Sequence, residues 1–183
     1  MFDAIRSILS QLNRKRTSIY LNSLKSKGLT IGENTDILEP FFLDPSHCFL
    51  ISIGANCTLA PNVRLIAHDA STKQFLGYTR IGKITIDNNC FIGDSTIILP
   101  NTSIGPNTII GAGTLVNKDI PGNVVAAGNP VRVICSIEEY LNRVKSKAQR
   151  KGVFGENYLI KNITDEKIKE MVKSLEKEEG YIN

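Results

Sequence analysis

The chain of 183 residues is long enough for one domain with a sizeable core, and 42% hydrophobic against 22% charged residues is an ordinary balance for a folded protein. No run approaches the roughly 18 apolar residues that cross a bilayer, and the N-terminus lacks the features of a signal peptide, so we expect a cytoplasmic protein. The net charge of +4 is compatible with an anionic ligand, but no basic run is interleaved with aromatic residues as in nucleic-acid binders.

Residues 1–28 are predicted to form an amphipathic helix. Apolar side chains recur near helical spacing from Phe2 to Leu24, and no proline or glycine precedes Gly28. Six basic residues and one acidic residue make this segment positively charged. We expect the helix to pack against the rest of the protein or a neighbouring subunit, and contact of residues 2–27 with an anionic membrane surface is the alternative.

A six-residue period runs through residues 29–135 and predicts an all-β solenoid, in which short strands turn at the corners of a prism. An aliphatic residue at every sixth position is expected to point inward, with a small residue four places later. The aliphatic series are Ile31 and Ile37, then Ile53, Leu59 and Leu65, then Ile86, Ile92, Ile98, Ile104, Ile110 and Val116. The small series is Cys90, Thr96, Thr102, Thr108 and Thr114, until Ile120 ends it.

Two further residue types fit this architecture. Glycine often follows the aliphatic position, as at Gly93, where we expect a bend to need backbone freedom. The four cysteines show no close C-x-x-C spacing, and Cys57 and Cys90 fall at positions for small buried side chains. We therefore expect reduced, structural thiols.

The period fails between Leu65 and Ile86, which predicts a loop that leaves the prism at about 67–83. His68 stands at the start of this loop and is one of two histidines in the chain. An imidazole titrates near neutral pH, so it can accept a hydroxyl proton and return it to a leaving group. A surface histidine without a catalytic role is the alternative.

Residues 136–183 are predicted to form a C-terminal helical extension with two helices. Ser136 is a candidate N-cap for a helix to about Arg150. Thr164, followed by two acidic residues, repeats this start signal for a second helix to about Glu179.

The most specific motif is GAGTLVNKDIPGNVVAAGNPVRVI at residues 111–134. Together with the six-residue period, it resembles the CoA-binding end of the hexapeptide-repeat acyltransferases, in particular sugar O-acetyltransferases such as galactoside and maltose acetyltransferases. The resemblance covers residues 29–135. It implies a left-handed parallel β-helix with three hexapeptides per coil, assembled as a homotrimer with active sites between subunits.

The resemblance also implies acetyl-CoA as the co-substrate, and no metal is expected. Small residues let the pantetheine arm lie along the prism, and Lys118 and Arg132 are the natural cations for its phosphates. Positions that contact CoA in such relatives are Asp94, Gly111, Ala112, Asn117, Lys118, Asn129 and Arg132. Cys135 stands where many relatives carry a further arginine, which puts one phosphate contact in doubt.

By the same resemblance, His68 is the catalytic base. Asp69, Asp44 and His47 are the candidates for orienting it, the last two in the segment FLDPSHC. A coil of three hexapeptides, about eighteen residues, would place Leu50 beside His68 and His47 three residues to one side. We therefore expect no His47–His68 hydrogen bond within one chain. A contact across a subunit interface, a place in the acceptor pocket, or a turn capped by Asp44 stays open.

The resemblance implies direct attack of an acceptor oxygen on the acetyl thioester, because the sequence offers no nucleophile with an adjacent base. The expected acceptor is a sugar hydroxyl on a polysaccharide or glycan precursor. An N-acetyltransferase of an amino nucleotide-sugar, a serine acetyltransferase and a non-enzymatic scaffold are the alternatives. A γ-type carbonic anhydrase would need three zinc-binding histidines, and this chain has two.

Overall fold

A computed structural model describes residues 15–177 and 179–183, so the first half of the predicted N-terminal helix lies outside the described part of the chain. Residues 15–25 are helical (α1). Leu24 is buried in the hydrophobic core and Leu21 packs against it, whereas Ile19 is largely exposed. This part of the helix therefore packs on the protein's own core, as expected.

Three sheets of short strands, numbered in chain order, form the body of the chain up to Ile137. The first sheet contains β1 (Thr30–Ile31), β4 (Ile51–Ile53), β9 (Ile84–Ile86) and β12 (Thr102–Ile104). The second contains β2 (Asp36–Ile37), β5 (Thr58–Leu59), β10 (Phe91–Ile92), β13 (Ile109–Ile110), β15 (Val124–Ala127) and the antiparallel β16 (Arg132–Ser136). The third contains β3 (Phe42–Leu43), β6 (Arg64–Leu65), β11 (Ile97–Ile98) and β14 (Leu115–Val116).

The chain passes through the three sheets in the same order each time, and we call one such passage a coil. Each strand pairs in parallel with its equivalent in the next coil, as Ile92 pairs with Leu59 on one side and Ile110 on the other. All aliphatic positions from Ile53 to Val116 in the predicted series are at most 1% exposed. The six-residue period therefore predicted correctly which side chains face the core.

The corners between strands are formed mainly by asparagine. Within the described part of the chain, eight residues other than glycine adopt positive φ angles between 54° and 62°: Asn34, Asn56, Asn62, Asn89, Ser95, Asn101, Asn107 and Asn123. Gly93 does not adopt such an angle, so the expectation that it supplies backbone freedom was wrong. A Cβ at Gly93 would lie 2.5 Å from the backbone nitrogen of Ala112, and glycine is needed because neighbouring coils approach closely there.

Coil lengths differ along the chain. Ile97 pairs with Leu115, eighteen residues later, which is the length of three hexapeptides. Phe42 pairs with Arg64, twenty-two residues later, because a 3-10 turn at Cys48–Leu50 lengthens the first coil. The prediction that every coil contains about eighteen residues was therefore wrong for this coil.

The chain leaves the sheets between β6 and β9, where the loop was predicted. The excursion contains β7 (His68–Asp69), a short helix α2 (Lys73–Leu76) and β8 (Arg80–Ile81). Because β7 and β8 pair in antiparallel fashion, the excursion is a hairpin with a helical tip.

Residues Glu138–Asn183 form a second compact unit. It contains most of α3 (Ile137–Lys151), α4 (Asp165–Ser174) and a pair of parallel strands, β17 (Val153–Phe154) and β18 (Tyr181–Ile182). The Lys167 N–H donates to the Thr164 hydroxyl oxygen at 3.4 Å, which confirms the predicted cap of α4. The predicted end at about Glu179 was wrong, because the chain turns at Leu175 to bring β18 beside β17. No helix among the described residues is long and apolar enough to span a membrane.

Candidate functional site

His68 and Asp44 are brought together by strand pairing in the third sheet. Leu43 at the end of β3 pairs with Leu65 at the end of β6. The two segments therefore leave the sheet side by side, and the Asp44 N–H donates to the carbonyl of Leu65 at 3.0 Å. The twenty-two-residue coil is what places Asp44 next to His68.

The Asp44 carboxylate is fully buried and holds one nitrogen of the His68 ring. Its Oδ2 lies 2.5 Å from His68 Nδ1 and also accepts the Ala67 N–H at 3.0 Å, while Oδ1 accepts the Ser46 N–H at 3.2 Å. A carboxylate at Nδ1 favours the ring form with its proton there, which leaves the Nε2 lone pair available. The His68 side chain is 33% exposed, so this pair can present a base to a bound molecule. The hydrogen bond from the Ser46 N–H shows that Asp44 caps its own turn, which was one of the alternatives that the sequence left open.

His47 lies against the same pair within one chain. Its ring centroid is 4.9 Å from that of His68, and its Nδ1 is 4.0 Å from Asp44 Oδ1. The expectation that His47 stands aside from His68 was wrong because it rested on the eighteen-residue coil. His47 Nδ1 is buried and has no hydrogen-bond partner among the residues that the structure describes. The two rings are tilted by 37° to one another. One ligand atom from each of Asp44, His47 and His68 lies within 4.8 Å of the other two.

Asp69 has other partners. Its Oδ1 accepts the Ser71 N–H at 2.9 Å and its Oδ2 accepts from Arg80 at 2.8 Å. These contacts, first the Ser71 N–H and then the Arg80 charge, lower the pKa of the Asp69 carboxyl. Successive strand residues point to opposite sides of a strand, so Asp69 and His68 point to different sides of β7. The contact of Asp69 with Arg80 links the two strands of the hairpin. Among the three orienting candidates, Asp44 is the one hydrogen-bonded to His68.

The residues predicted to contact CoA fall on two different edges of the third sheet. We call the corners before this sheet the entry edge and the corners after it the exit edge. The entry edge holds Asp94, Gly111 and Ala112, and Asn129 and Arg132 lie at its end, where Val131 bonds to Leu115 of β14. The exit edge holds Asn117 and Lys118, together with His68 at the start of the hairpin. The sequence motif gave no indication of this separation.

Asp94 on the entry edge contacts a residue that the sequence did not single out. Asn62 donates its side-chain N–H to Asp94 Oδ1 at 3.2 Å, and the Ser95 hydroxyl donates to Oδ2 at 2.7 Å. Asn62 occupies the corner position one coil before Ser95, and both have positive φ. The recurrence of asparagine at corner positions was the signal that could have identified it.

Comparison with known proteins gives one matching family model, Bacterial transferase hexapeptide (six repeats), over residues 83–118. The putative acetyltransferase YvoF of Bacillus subtilis is 38% identical over 131 residues, which cover 72% of each chain. Protein CapG of Staphylococcus aureus is 44% identical over 107 residues, 56% of this chain and 62% of its own.

Galactoside O-acetyltransferase of Escherichia coli is 45% identical over 94 residues, 50% of this chain and 46% of its own. The chain thus spans less than two thirds of CapG and of this enzyme. A solved galactoside acetyltransferase in complex with coenzyme A is 34% identical, with a TM-score of 0.50 over 65% of this chain and 70% of that chain.

Proposed function

Because the chain belongs to the hexapeptide-repeat acetyltransferases, we propose that it transfers the acetyl group of acetyl-CoA to an acceptor hydroxyl, with His68 as the general base. The observation that carries this proposal is the hydrogen bond between His68 Nδ1 and the buried Asp44 carboxylate. It orients the ring and leaves Nε2 as the proton acceptor.

In the proposed reaction, His68 Nε2 takes the proton of the acceptor hydroxyl while the oxygen attacks the thioester carbonyl carbon. The tetrahedral intermediate then collapses, the carbon–sulfur bond breaks, and the imidazolium returns the proton to the CoA thiolate. Asp44 stabilises the imidazolium formed between these steps, because its negative charge lies at Nδ1. The products are the acetyl ester and free CoA.

The donor site of this proposal is shared between two copies of the chain. Lys118 and Arg132 are the proposed phosphate cations. Lys118 lies on the exit edge of the third sheet, whereas Arg132 begins β16 of the second sheet, next to the entry edge. The outward row between the edges includes the partly buried apolar side chains Phe42, Ile97 and Leu115, which suit an interface between subunits. We therefore place CoA between the exit edge of one copy and the entry edge of its neighbour in a homotrimer.

We propose that residues 29–135 form a left-handed β-helix, which is preceded by the helix α1 at residues 15–25 and followed by a helical extension over residues 136–183. The acceptor of the proposal is a sugar hydroxyl on a glycan or polysaccharide precursor. The similarity to galactoside O-acetyltransferase supports a sugar acceptor.

The proposal is tested by incubating the purified protein with acetyl-CoA and a panel of sugar and nucleotide-sugar acceptors, with the release of CoA thiol as the readout. For the acceptor that reacts, His68→Ala should lower kcat/KM by about 10²-fold or more, since an oriented base contributes that much. Full activity of His68→Ala would remove the base from the mechanism and favour an amine acceptor, which needs less help in losing its proton.

A further inference from the structure

The side chains of Asp44, His47 and His68 form a cluster that the proposed acetyl transfer does not fully use. We propose that these three residues bind a divalent transition-metal cation of the Zn²⁺ class, and that the bound cation switches off His68 as a base. The binding of the cation is independent of the proposed function, whereas the inhibition rests on the proposed function.

The spacing of the three residues fits one cation after a small adjustment. One ligand atom from each residue lies within 4.8 Å of the other two. In a tetrahedral zinc site with bonds of about 2.1 Å, neighbouring ligand atoms are about 3.4 Å apart. The rings therefore have to move by about 1 Å, and both are partly exposed side chains that can do so.

His47 is the group that points to a ligand. Its Nδ1 is buried, faces Asp44 Oδ1 at 4.0 Å and has no hydrogen-bond partner among the residues that the structure describes. Buried polar atoms in proteins nearly always have a partner. Asp44 Oδ1 accepts only the long bond from the Ser46 N–H among the described hydrogen bonds, so both atoms have capacity for a further contact.

The chemistry of the ligands selects the class of cation. Two imidazoles and one carboxylate suit Zn²⁺, Co²⁺ and Ni²⁺, whereas Mg²⁺ and Ca²⁺ prefer sites made of oxygen atoms. Three protein ligands leave a fourth position for water. The 27% exposure of the His47 side chain and the 33% exposure of His68 leave a path for the cation from solvent.

Coordination through either nitrogen of His68 removes the base. A cation on Nε2 occupies the lone pair that would accept the hydroxyl proton. A cation on Nδ1 takes the lone pair of that nitrogen, so the single proton of the neutral ring moves from Nδ1 to Nε2 by exchange with solvent, and Nε2 can no longer accept a proton. The cation and the acceptor proton therefore compete for the same imidazole, and a chelator reverses the competition.

Titration of the full-length protein, freed of any histidine tag, with Co²⁺ tests the site. Both histidines of the chain are in the cluster, so a histidine-bound cation reports on it alone. We expect one Co²⁺ to bind per chain and to give visible absorption bands. These bands should disappear when Zn²⁺ displaces the Co²⁺. His47→Gln should weaken the affinity at least tenfold. Cys135→Ser, which alters the one cysteine that is not buried, should leave the affinity unchanged.

Equal affinity of the wild-type protein and a correctly folded His47→Gln, checked by circular dichroism, would overturn the site. The absence of binding at millimolar Co²⁺ would overturn it as well.

Acetyl transfer by the same samples tests whether the bound cation switches off His68. Zn²⁺ should inhibit the wild-type protein, EDTA should restore its rate, and His47→Gln should be at least tenfold less sensitive relative to its own metal-free rate. Binding without inhibition would overturn the switch alone. No transfer by the metal-free protein would overturn the proposed function, while the Co²⁺ titration would still decide the site.

Discussion

At the scale of single residues, Asp44 has the most constrained environment in the candidate site. Its carboxylate is fully buried and its oxygens accept two backbone N–H groups besides the contact with His68. Burial of a charge is costly unless the charge is paired and hydrogen-bonded, and these three contacts supply that pairing. A residue held in this way can fix the position of an imidazole without moving itself.

Replacing Asp44 with asparagine tests its proposed role as the residue that orients His68. The amide keeps the size of the side chain but loses the negative charge beside Nδ1, so the ring is no longer held in the form that leaves Nε2 free. We expect kcat/KM for acetyl transfer to fall by about 10²-fold or more, while the KM for acetyl-CoA changes little. Steady-state kinetics at several acetyl-CoA concentrations separates the two parameters.

The matched control is Asp69→Asn. Asp69 contacts Arg80 and Ser71 in the hairpin and not His68, so its substitution should lower kcat/KM by less than the Asp44 substitution does. A larger loss for Asp69→Asn would assign the orienting role to Asp69 instead.

The sequence identified His68 but left its partner open, for a physical reason. His68 stands where the six-residue period breaks, and such a break is visible in the sequence. Which side chain lies next to it depends on the number of residues in the preceding coil. That number is set by the 3-10 turn at Cys48–Leu50, which the period does not reveal, so Asp44, His47 and Asp69 could not be ranked.

At the scale of elements, the distance between neighbouring coils limits which residues fit at the corners. A Cβ added at Gly93 would lie 2.5 Å from the Ala112 nitrogen and 2.8 Å from the Ile110 carbonyl oxygen. Both neighbours are backbone atoms of paired strands and corners, which cannot move without disturbing the parallel ladder. The glycine is therefore required by packing.

Gly93→Ala should lower the free energy of unfolding by about 1–3 kcal/mol, the usual cost of adding a group to a closely packed site. Urea denaturation measures the change. The control is Gly155→Ala in the second unit, where a Cβ would meet no atom within 4 Å, and we expect a change within about 0.5 kcal/mol. Equal effects of the two substitutions would contradict the packing explanation.

The elements differ in how well the sequence predicted them. The repeat predicted the inward-facing side chains because burial follows the period. The cap of α4 at Thr164 is a local signal and was also predicted. The end of α4 was not, since it depends on the pairing of β18 with β17, and a contact between two strands on either side of the helix is not a local signal.

At the scale of the whole molecule, the separation of the predicted donor residues onto two edges has a consequence for assembly. If each site takes His68 and Lys118 from one copy and Arg132 from the next, then a chain that lacks His68 and a chain that lacks Arg132 can complement one another. In randomly mixed trimers, three quarters contain both chains and have one intact site out of three.

We therefore expect mixed trimers of His68→Ala and Arg132→Ala to recover about a quarter of wild-type acetyl transfer at low acetyl-CoA, although each variant alone is impaired. The control mixture is His68→Ala with Lys118→Ala. Both residues lie on the exit edge, so no mixed site contains both, and no recovery is expected. Failure of the first mixture, once mass measurements verify mixed trimers, would place each donor site within a single chain.

The unequal coils also bear on how such a chain can change during evolution. Arg64 pairs with Ile97 across thirty-three residues, yet Ile97 pairs with Leu115 across eighteen, and both pairs stack in the same register. The packing of the core therefore stays the same whether few or many residues are inserted between two strands at a corner. New segments can be grafted there without redesign of the interior, and the hairpin at 67–83 could be exchanged for another segment while the stacked aliphatic rows stay unaltered.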